Sequence, residues 1–296
     1  MKLLNFAVLL WFVSAVVQFA TAIERAAAEP GKVPAPIPRQ FVQEALGAAS
    51  PKADFTAAQI TSMLHKAVAG ERVDLSGRRL SYLDLSDLDF KGAAMAKSDL
   101  FGTDFTGANL SGTDLNASRL DRSVLIRANF SGANLAGATI YRPTIYSNEH
   151  SPLTDAPKFS GANLSGVHVQ ADMSGADFRG ANLTGAVLKP LELRPGEGTL
   201  TTAYKNILKS CDFSGAILRD ADMTHAVLWF SRFTGADVRG AKFVDADLSN
   251  ADFAGADVSG ADFTDADLDG ANFAGATGLD QAIGWDKTKN ADRVRK

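Results

Sequence analysis

Cysteine is almost absent: Cys211 is the single one in 296 residues, so no disulfide can staple the chain to itself. Basic charge is not in excess either. Thirty Lys and Arg stand against 34 Asp and Glu, a net charge of −4, which argues against a protein that grips the phosphate backbone of nucleic acid. Histidine is scarce. His65, His150, His168 and His225 are not spaced from one another or from Cys211 as metal ligands would be. Gly-x-Ser-x-Gly, His-Glu-x-x-His and phosphate-cradling glycine-rich loops are missing. His65 and His225 read as solvated surface, and His150 beside Glu149 is an acid–base pair without a nucleophile. These gaps argue against an enzyme and against a bound cofactor. Ordinary periodicity is lacking too, since the apolar residues follow neither the 3.6-residue repeat of a helix nor the alternation of a strand.

What is present begins with an export signature. Lys2 precedes an apolar stretch from Leu3 to Val17, and Ala20-Thr21-Ala22 fits a small-x-small cleavage site, so residues 1–22 read as a signal peptide cleaved after Ala22. The expected location is periplasmic or secreted, with no membrane span after cleavage. Left uncleaved, the segment is about long enough to anchor the protein in a membrane. No cysteine follows it, which argues against a bacterial lipoprotein. Residues 23–53 form an Ala/Pro-rich linker, where each proline lacks a donor and restricts its predecessor.

From Leu75 a large apolar residue recurs every five positions, fourteen times in register to Ile140. The ladder resumes with Phe159, Leu164 and Val169, slips by one residue, and continues through Met173, Phe178, Leu183 and Leu188. Thirteen more run from Phe213 to Phe273, for a total of 34. Two residues before each centre sits a small residue, mostly Ala, with Asp or Asn between, and two residues after it Gly or a small polar residue. Two of every five positions therefore point inward and a turn must follow every five residues. Phe213, Phe233, Phe253 and Phe273 are spaced by 20, with Phe243 and Phe263 offset by 10. A 20-residue superperiod means four units per coil, two Phe columns on opposite walls, and a rod about 40 Å long at roughly 4.8 Å per coil. Cys211 falls on a small inward position, which makes it an apolar filler.

The A(D/N)LXX pattern, as in Ala133-Asn134-Leu135-Ala136-Gly137 or Ala261-Asp262-Phe263-Thr264-Asp265, resembles the pentapeptide-repeat family. That resemblance implies an all-β fold, a right-handed quadrilateral parallel β-helix, and specifies function only weakly. The expected body comprises a first run at 71–141, an insertion at 142–158, a middle run at 159–188, an insertion at 189–210, a final run at 211–276 and a C-terminal cap at 277–296. Thr56-Ala57-Ala58-Gln59 reads as a capping box that opens a short N-terminal capping helix within 54–70, ending before Gly70. Its apolar face is Ile60, Met63, Leu64, Ala67 and Val68. Leu279, Ile283 and Trp285 anchor the far end, which in family members can form a homodimer interface.

The expected function is an exported, non-enzymatic binding or scaffolding surface for an unknown protein partner, with specificity in the two insertions. Its candidate residues are Trp229, Phe230, Tyr146, His150 and Tyr204. Ile217, Val227, Trp229 and Phe230 are apolar where the pattern faces water, and the second insertion, through Tyr204, Ile207 and Leu208, is expected to cover them. Residues 211–276 carry 12 Asp against 4 Lys and Arg. There Asp245, Asp247, Asp265 and Asp267 stack as a candidate Ca²⁺ cluster. The same acidity allows an alternative that rests on the resemblance, a DNA-mimicking protein that binds and protects gyrase; the export signal speaks against it. Outward residues such as Asp252 read as solvated and replaceable by Ala.

Overall fold

The computed structural model describes residues 52–68, 71–147, 152–190 and 206–296. The expected signal peptide, nearly all of the expected linker, Gly70, His150 and Tyr204 lie outside the described residues. Among the described residues no helix is long and apolar enough to cross a membrane.

Each five-residue unit is built by local chemistry. The outward Asp or Asn accepts a hydrogen bond from the amide two residues on, as Asp262 does from the Thr264 N–H at 2.9 Å, which shapes the turn. The second turn residue is left-handed, as in Gly132 at φ 65°. Turned every five residues, the chain meets itself one coil later. Phe253 N–H donates to the Asn272 carbonyl at 2.7 Å, and Asn272 N–H donates back to the Ala251 carbonyl at 2.9 Å.

Parallel bridges of this kind join residues 20 apart at four places per coil: Asp74 with Ala94, Arg79 with Asp99, Asp84 with Asp104, and Asp89 with Asn109. These four columns run on through the chain. One short strand pair emerges among them, β1 (Thr139–Tyr141) with β2 (His168–Gln170), in parallel register.

All 34 anticipated centres are buried. Phe130, Phe159, Phe178, Phe213, Phe233, Phe253 and Phe273 stack face to face with centroids 4.5–5.1 Å apart. Phe243 and Phe263 stack at 5.2 Å in a second column and meet the first edge-on across the interior at 5.7–5.9 Å. These offset-stacked and edge-to-face contacts are the ones aromatic quadrupoles favour.

The interruptions are shorter than the sequence suggests. Ile145 and Leu208, placed in the insertions by sequence, are buried centres of ordinary units. Asn129 bridges Lys158, 29 positions on instead of 20, so nine residues are extra. Asp172 bridges Ile207, 35 positions on, so fifteen are extra. The slip before Met173 shortens one coil to 19, seen where Lys158 bridges Asp177. Its cost to the backbone is met by Asn206. This fully buried amide donates to the Val169 carbonyl at 2.8 Å and accepts from the Ala171 N–H at 2.6 Å, as a peptide group would.

At the amino end, helix α1 (Ala57–Lys66) opens on the reciprocal Thr56–Gln59 capping box. It sends Ile60 and Leu64 into the same apolar core. Lys91 Nζ donates to the Leu64 carbonyl at 3.0 Å. The helix is shorter than expected because Ala67 already has extended angles, φ −60° and ψ 123°, and Val68 is consequently exposed.

The tail from Thr277 is a further coil with six residues per side. Thr277, Ile283, Lys289 and Arg295 bridge Asp257, Asp262, Asp267 and Asn272. Single 3-10 turns, Leu279–Gln281, Trp285–Lys287 and Ala291–Arg293, fill its corners. Leu279 and Trp285 pack against the core. Ile283 is 54% exposed because it holds an outward bridge position, which corrects its reading as an anchor.

Candidate interaction surface

The corner that follows the Asp84 column sets the geometry of the candidate surface. Its turn pairs are 86–87, 106–107, 126–127, then Tyr146 and Ser147, 174–175, 209–210, 229–230, 249–250 and 269–270. The structure therefore brings Tyr146, Trp229 and Phe230 to one edge of the rod. Three coil steps separate Tyr146 from Trp229, about 14 Å at the usual strand spacing.

Trp229 is 38% exposed and Phe230 60% exposed. Lys209 Nζ lies 4.8 Å from the centroid of the Trp229 ring, a cation–π contact that fixes the indole. Phe230 sits in the left-handed region at φ 57°, uncommon for a bulky residue. Ile217 belongs elsewhere. It bridges Asn182 and Asp237 in the Asp74 column, on the wall opposite Val227, so the apolar patch read from sequence is two separate features. Ile207 lies above Val227 by bridging it, and Leu208 is in the core, so neither folds over the aromatic pair.

The first insertion docks beside an apolar corner that the sequence reading passed over, where the Arg127 N–H donates to the Asp155 carbonyl at 2.7 Å. Ile126 is 6% exposed although it occupies a turn position. The insertion carries the short helix α2 (Pro152–Asp155) and is tied down through Asp155, itself only 5% exposed. Asp155 accepts from Ser147 Oγ at 2.6 Å and Ser147 N–H at 2.9 Å. It also accepts from Arg127 Nη1 at 3.0 Å. The Ser147 hydrogen bonds, with Arg127 beside them, hold its carboxyl below the usual range. The legible signal was the apolar Ile126 where the repeat faces water.

Three of the four candidate carboxylates are engaged by other groups of the protein. Asp247 accepts from the N–H and Oγ of Ser249 at 3.1 and 2.6 Å. Asp267 accepts from the Asp269 N–H at 3.1 Å and from Asn290 Nδ2 at 2.7 Å. Asp265 is a left-handed turn residue at φ 58°. Asp245 lies 3.0 Å from His225 Nδ1 and 3.1 Å from Lys289 Nζ. Partial desolvation pushes its pKa up, but Lys289 and His225 outweigh that and the carboxyl sits below its ordinary range. Among the described residues no group of three or more His, Cys, Asp or Glu is arranged to hold a metal ion. His65 and His168 are exposed and point to no shared site. Cys211 is fully buried, its thiol 3.1 Å from the Met173 carbonyl, and burial pushes its pKa far above the ordinary thiol range.

Comparison with known proteins follows the same coils. The family model for pentapeptide repeats matches in eight copies, over residues 71–107, 103–140, 156–189, 207–240 and 241–277. Among solved structures, HetL is similar, a pentapeptide repeat protein involved in heterocyst differentiation regulation from the cyanobacterium Nostoc sp. strain PCC 7120. It is 26% identical with a TM-score of 0.43, covering 81% of this chain and 94% of its own. QnrB1, a plasmid-mediated fluoroquinolone resistance protein, is 20% identical with a TM-score of 0.31, covering 74% and 86%. A pentapeptide repeat protein from the Arabidopsis thaliana thylakoid lumen is 27% identical with a TM-score of 0.23, covering 41% and 68%. No curated protein matches the chain. The matched segments stop at the two interruptions mapped above and together span more than half of the sequence, so the chain belongs to the pentapeptide-repeat family.

Proposed function

We propose that the chain is an exported, non-enzymatic protein whose right-handed, four-walled β-helix serves as a rigid binding surface for a protein partner, with α1 capping its first coil. The observation that carries this reading is the pair Trp229 and Phe230. Leaving Phe230 60% exposed keeps apolar surface in water, and its left-handed backbone costs about 1–2 kcal/mol more. Winding requires the left-handed turn at this position but not an aromatic side chain in it. At the same turn position other coils use Asp87, Gly107, Gly175, Ser210, Asn250 and Gly270. Aromatic side chains held on a rigid corner are the usual anchors of protein interfaces. Specificity is assigned to this corner together with the two interruptions. The first opens after Tyr146 on the corner itself, and the second re-enters through Asn206 one coil away from Trp229.

Export rests on the sequence of residues 1–22. The test has two arms. Fractionation should recover a mature chain beginning at Ile23 outside the cytosol; an uncleaved cytosolic protein would remove the export part. Phe230→Gly should leave the melting temperature unchanged or raise the stability by about 1 kcal/mol, since glycine accepts positive φ freely, while partner binding is lost. Binding that survives both Phe230→Gly and Trp229→Ser would refute the surface.

A further inference from the structure

The acidic final run and the six-residue coil beyond it form an electrostatic pair. Residues 277–296 carry five Lys and Arg against three Asp, directly after a run with 12 Asp against 4 Lys and Arg. The structure joins the two at three points. Lys289 Nζ meets Asp245 Oδ1 at 3.1 Å, two coils back. Asn290 Nδ2 donates to Asp267 Oδ1 at 2.7 Å, and Arg293 Nη1 to Asp269 Oδ1 at 2.9 Å. His225 closes the chain of contacts by reaching the other oxygen of Asp245 at 3.0 Å.

Apolar burial is shallower in this coil than in those beneath it. None of the residues in its three turns is buried, whereas every coil from Phe213 to Phe273 buries its centres. Its apolar contacts are only half-buried: Trp285 is edge-on to Phe263 at 5.8 Å and to Phe273 at 5.1 Å, and Leu279, Ala282 and Val294 also rest on the core. Elements with few buried contacts open separately from the body they rest on. From this distribution we infer that the coil 277–296 is a strap, held over the last Phe rings by its ties to Asp245, Asp267 and Asp269, and able to lift as a unit while the β-helix below stays wound. Lifting uncovers Phe263 and Phe273 and frees the amides and carbonyls of the coil beneath. The inference does not depend on the proposed function.

Hydrogen exchange on the whole chain tests it. Raising NaCl from 0.1 to 1 M shortens the screening length from about 10 Å to about 3 Å. The amides of Ile283, Lys289 and Arg295, which donate to Ala261, Ala266 and Ala271, should then exchange about three- to tenfold faster. Those of residues 213–253 should not change. Lys289→Met with Arg293→Met, which keeps the apolar stems, should reproduce the acceleration at low salt and abolish its salt dependence. Exchange of 277–296 that ignores both salt and the double substitution would overturn the strap. So would acceleration shared equally by residues 213–253, because the coil would then open only with the whole fold.

Discussion

Asn206 shows how much one side chain can carry. In an ordinary unit the small residue's N–H donates across the turn to the preceding centre's carbonyl, as Ala162 does to Phe159 at 3.0 Å. The shortened coil before Met173 puts Ala171 too close along the chain to Val169 for that bond, and the Asn206 amide supplies both partners. Asn206→Ala should cost about 2–4 kcal/mol, from two buried backbone groups left unpaired and a small cavity. Asn206→Asp keeps the shape but removes the donor, so it should rescue nothing at neutral pH. Chemical denaturation read by circular dichroism gives both values; an Ala variant as stable as the parent would show that water replaces the amide. Asp252 teaches a related lesson. Sequence alone treats it as solvated, yet it accepts from Ala254 N–H at 3.1 Å, Asn272 Nδ2 at 2.8 Å and Thr234 Oγ1 at 3.0 Å. Outward Asp and Asn are structural because they cap their own turns, as Asp262 does, and some also tie to a neighbouring coil. Asn163 likewise donates to Asn134 Oδ1 at 3.0 Å, and Asn134 to Asp114 Oδ1 at 2.9 Å.

At the scale of the element, the turns decide which residues the corners accept. Gly278 and Gly284 are left-handed at φ 78° and 68°, and a Cβ on either would come within 2.1 Å of Ser259 Oγ or Thr264 Oγ1. The six-residue sides of the last coil thus depend on glycine for space as well as conformation. Charged ladders link neighbouring corners. Asp237 receives Arg239 through Nε at 2.9 Å and Nη2 at 2.8 Å, and Arg219 Nε lies 2.6 Å away. The Arg239 hydrogen bonds, then Arg219, bring its pKa down from 3.8 to about 2. A carboxyl depressed in the folded state contributes stability that is present above its unfolded pKa and is lost as pH falls through the folded value. The loss therefore falls between about pH 4 and pH 2, and for a pair this exposed amounts to roughly 1 kcal/mol or less. Urea unfolding of wild type and Asp237→Asn should differ at pH 6 and converge at pH 2; a constant difference would mean the effect is steric.

For the whole molecule, coil arithmetic is the controlling constraint. Phe130 to Phe273 form one uninterrupted ring stack although the chain detours twice along it. Extra residues are tolerated at corners because they leave every column in place. Deleting residues 234–253, one full coil, should therefore retain a cooperative β-helix with a modest loss of melting temperature, as in other stacked repeats. Deleting only residues 234–238 sets Phe rings against aliphatic columns. That should cost several kcal/mol through simultaneous overpacking and voids. Thermal unfolding compares the two; a five-residue deletion milder than the twenty-residue one would contradict the stacking rule.

The sequence by itself determined the winding. A five-residue period buries one large and one small side chain per unit whatever surrounds them, and the 20-residue recurrence of Phe set the number of sides. It also marked Thr56–Gln59 as a helix start, because a capping box is a contact between neighbours in the chain. Only the tertiary structure decided that Ile145 and Leu208 continue the ladder, that Ile217 and Val227 face opposite ways, that Asn206 heals a shortened coil, and that Asp245 and Asp267 tie to the last coil. Each of those outcomes rests on contacts between residues some 20 to 45 positions apart, and the detours shift which residues meet. A local pattern can report the rule of winding, but not the partner that the winding delivers.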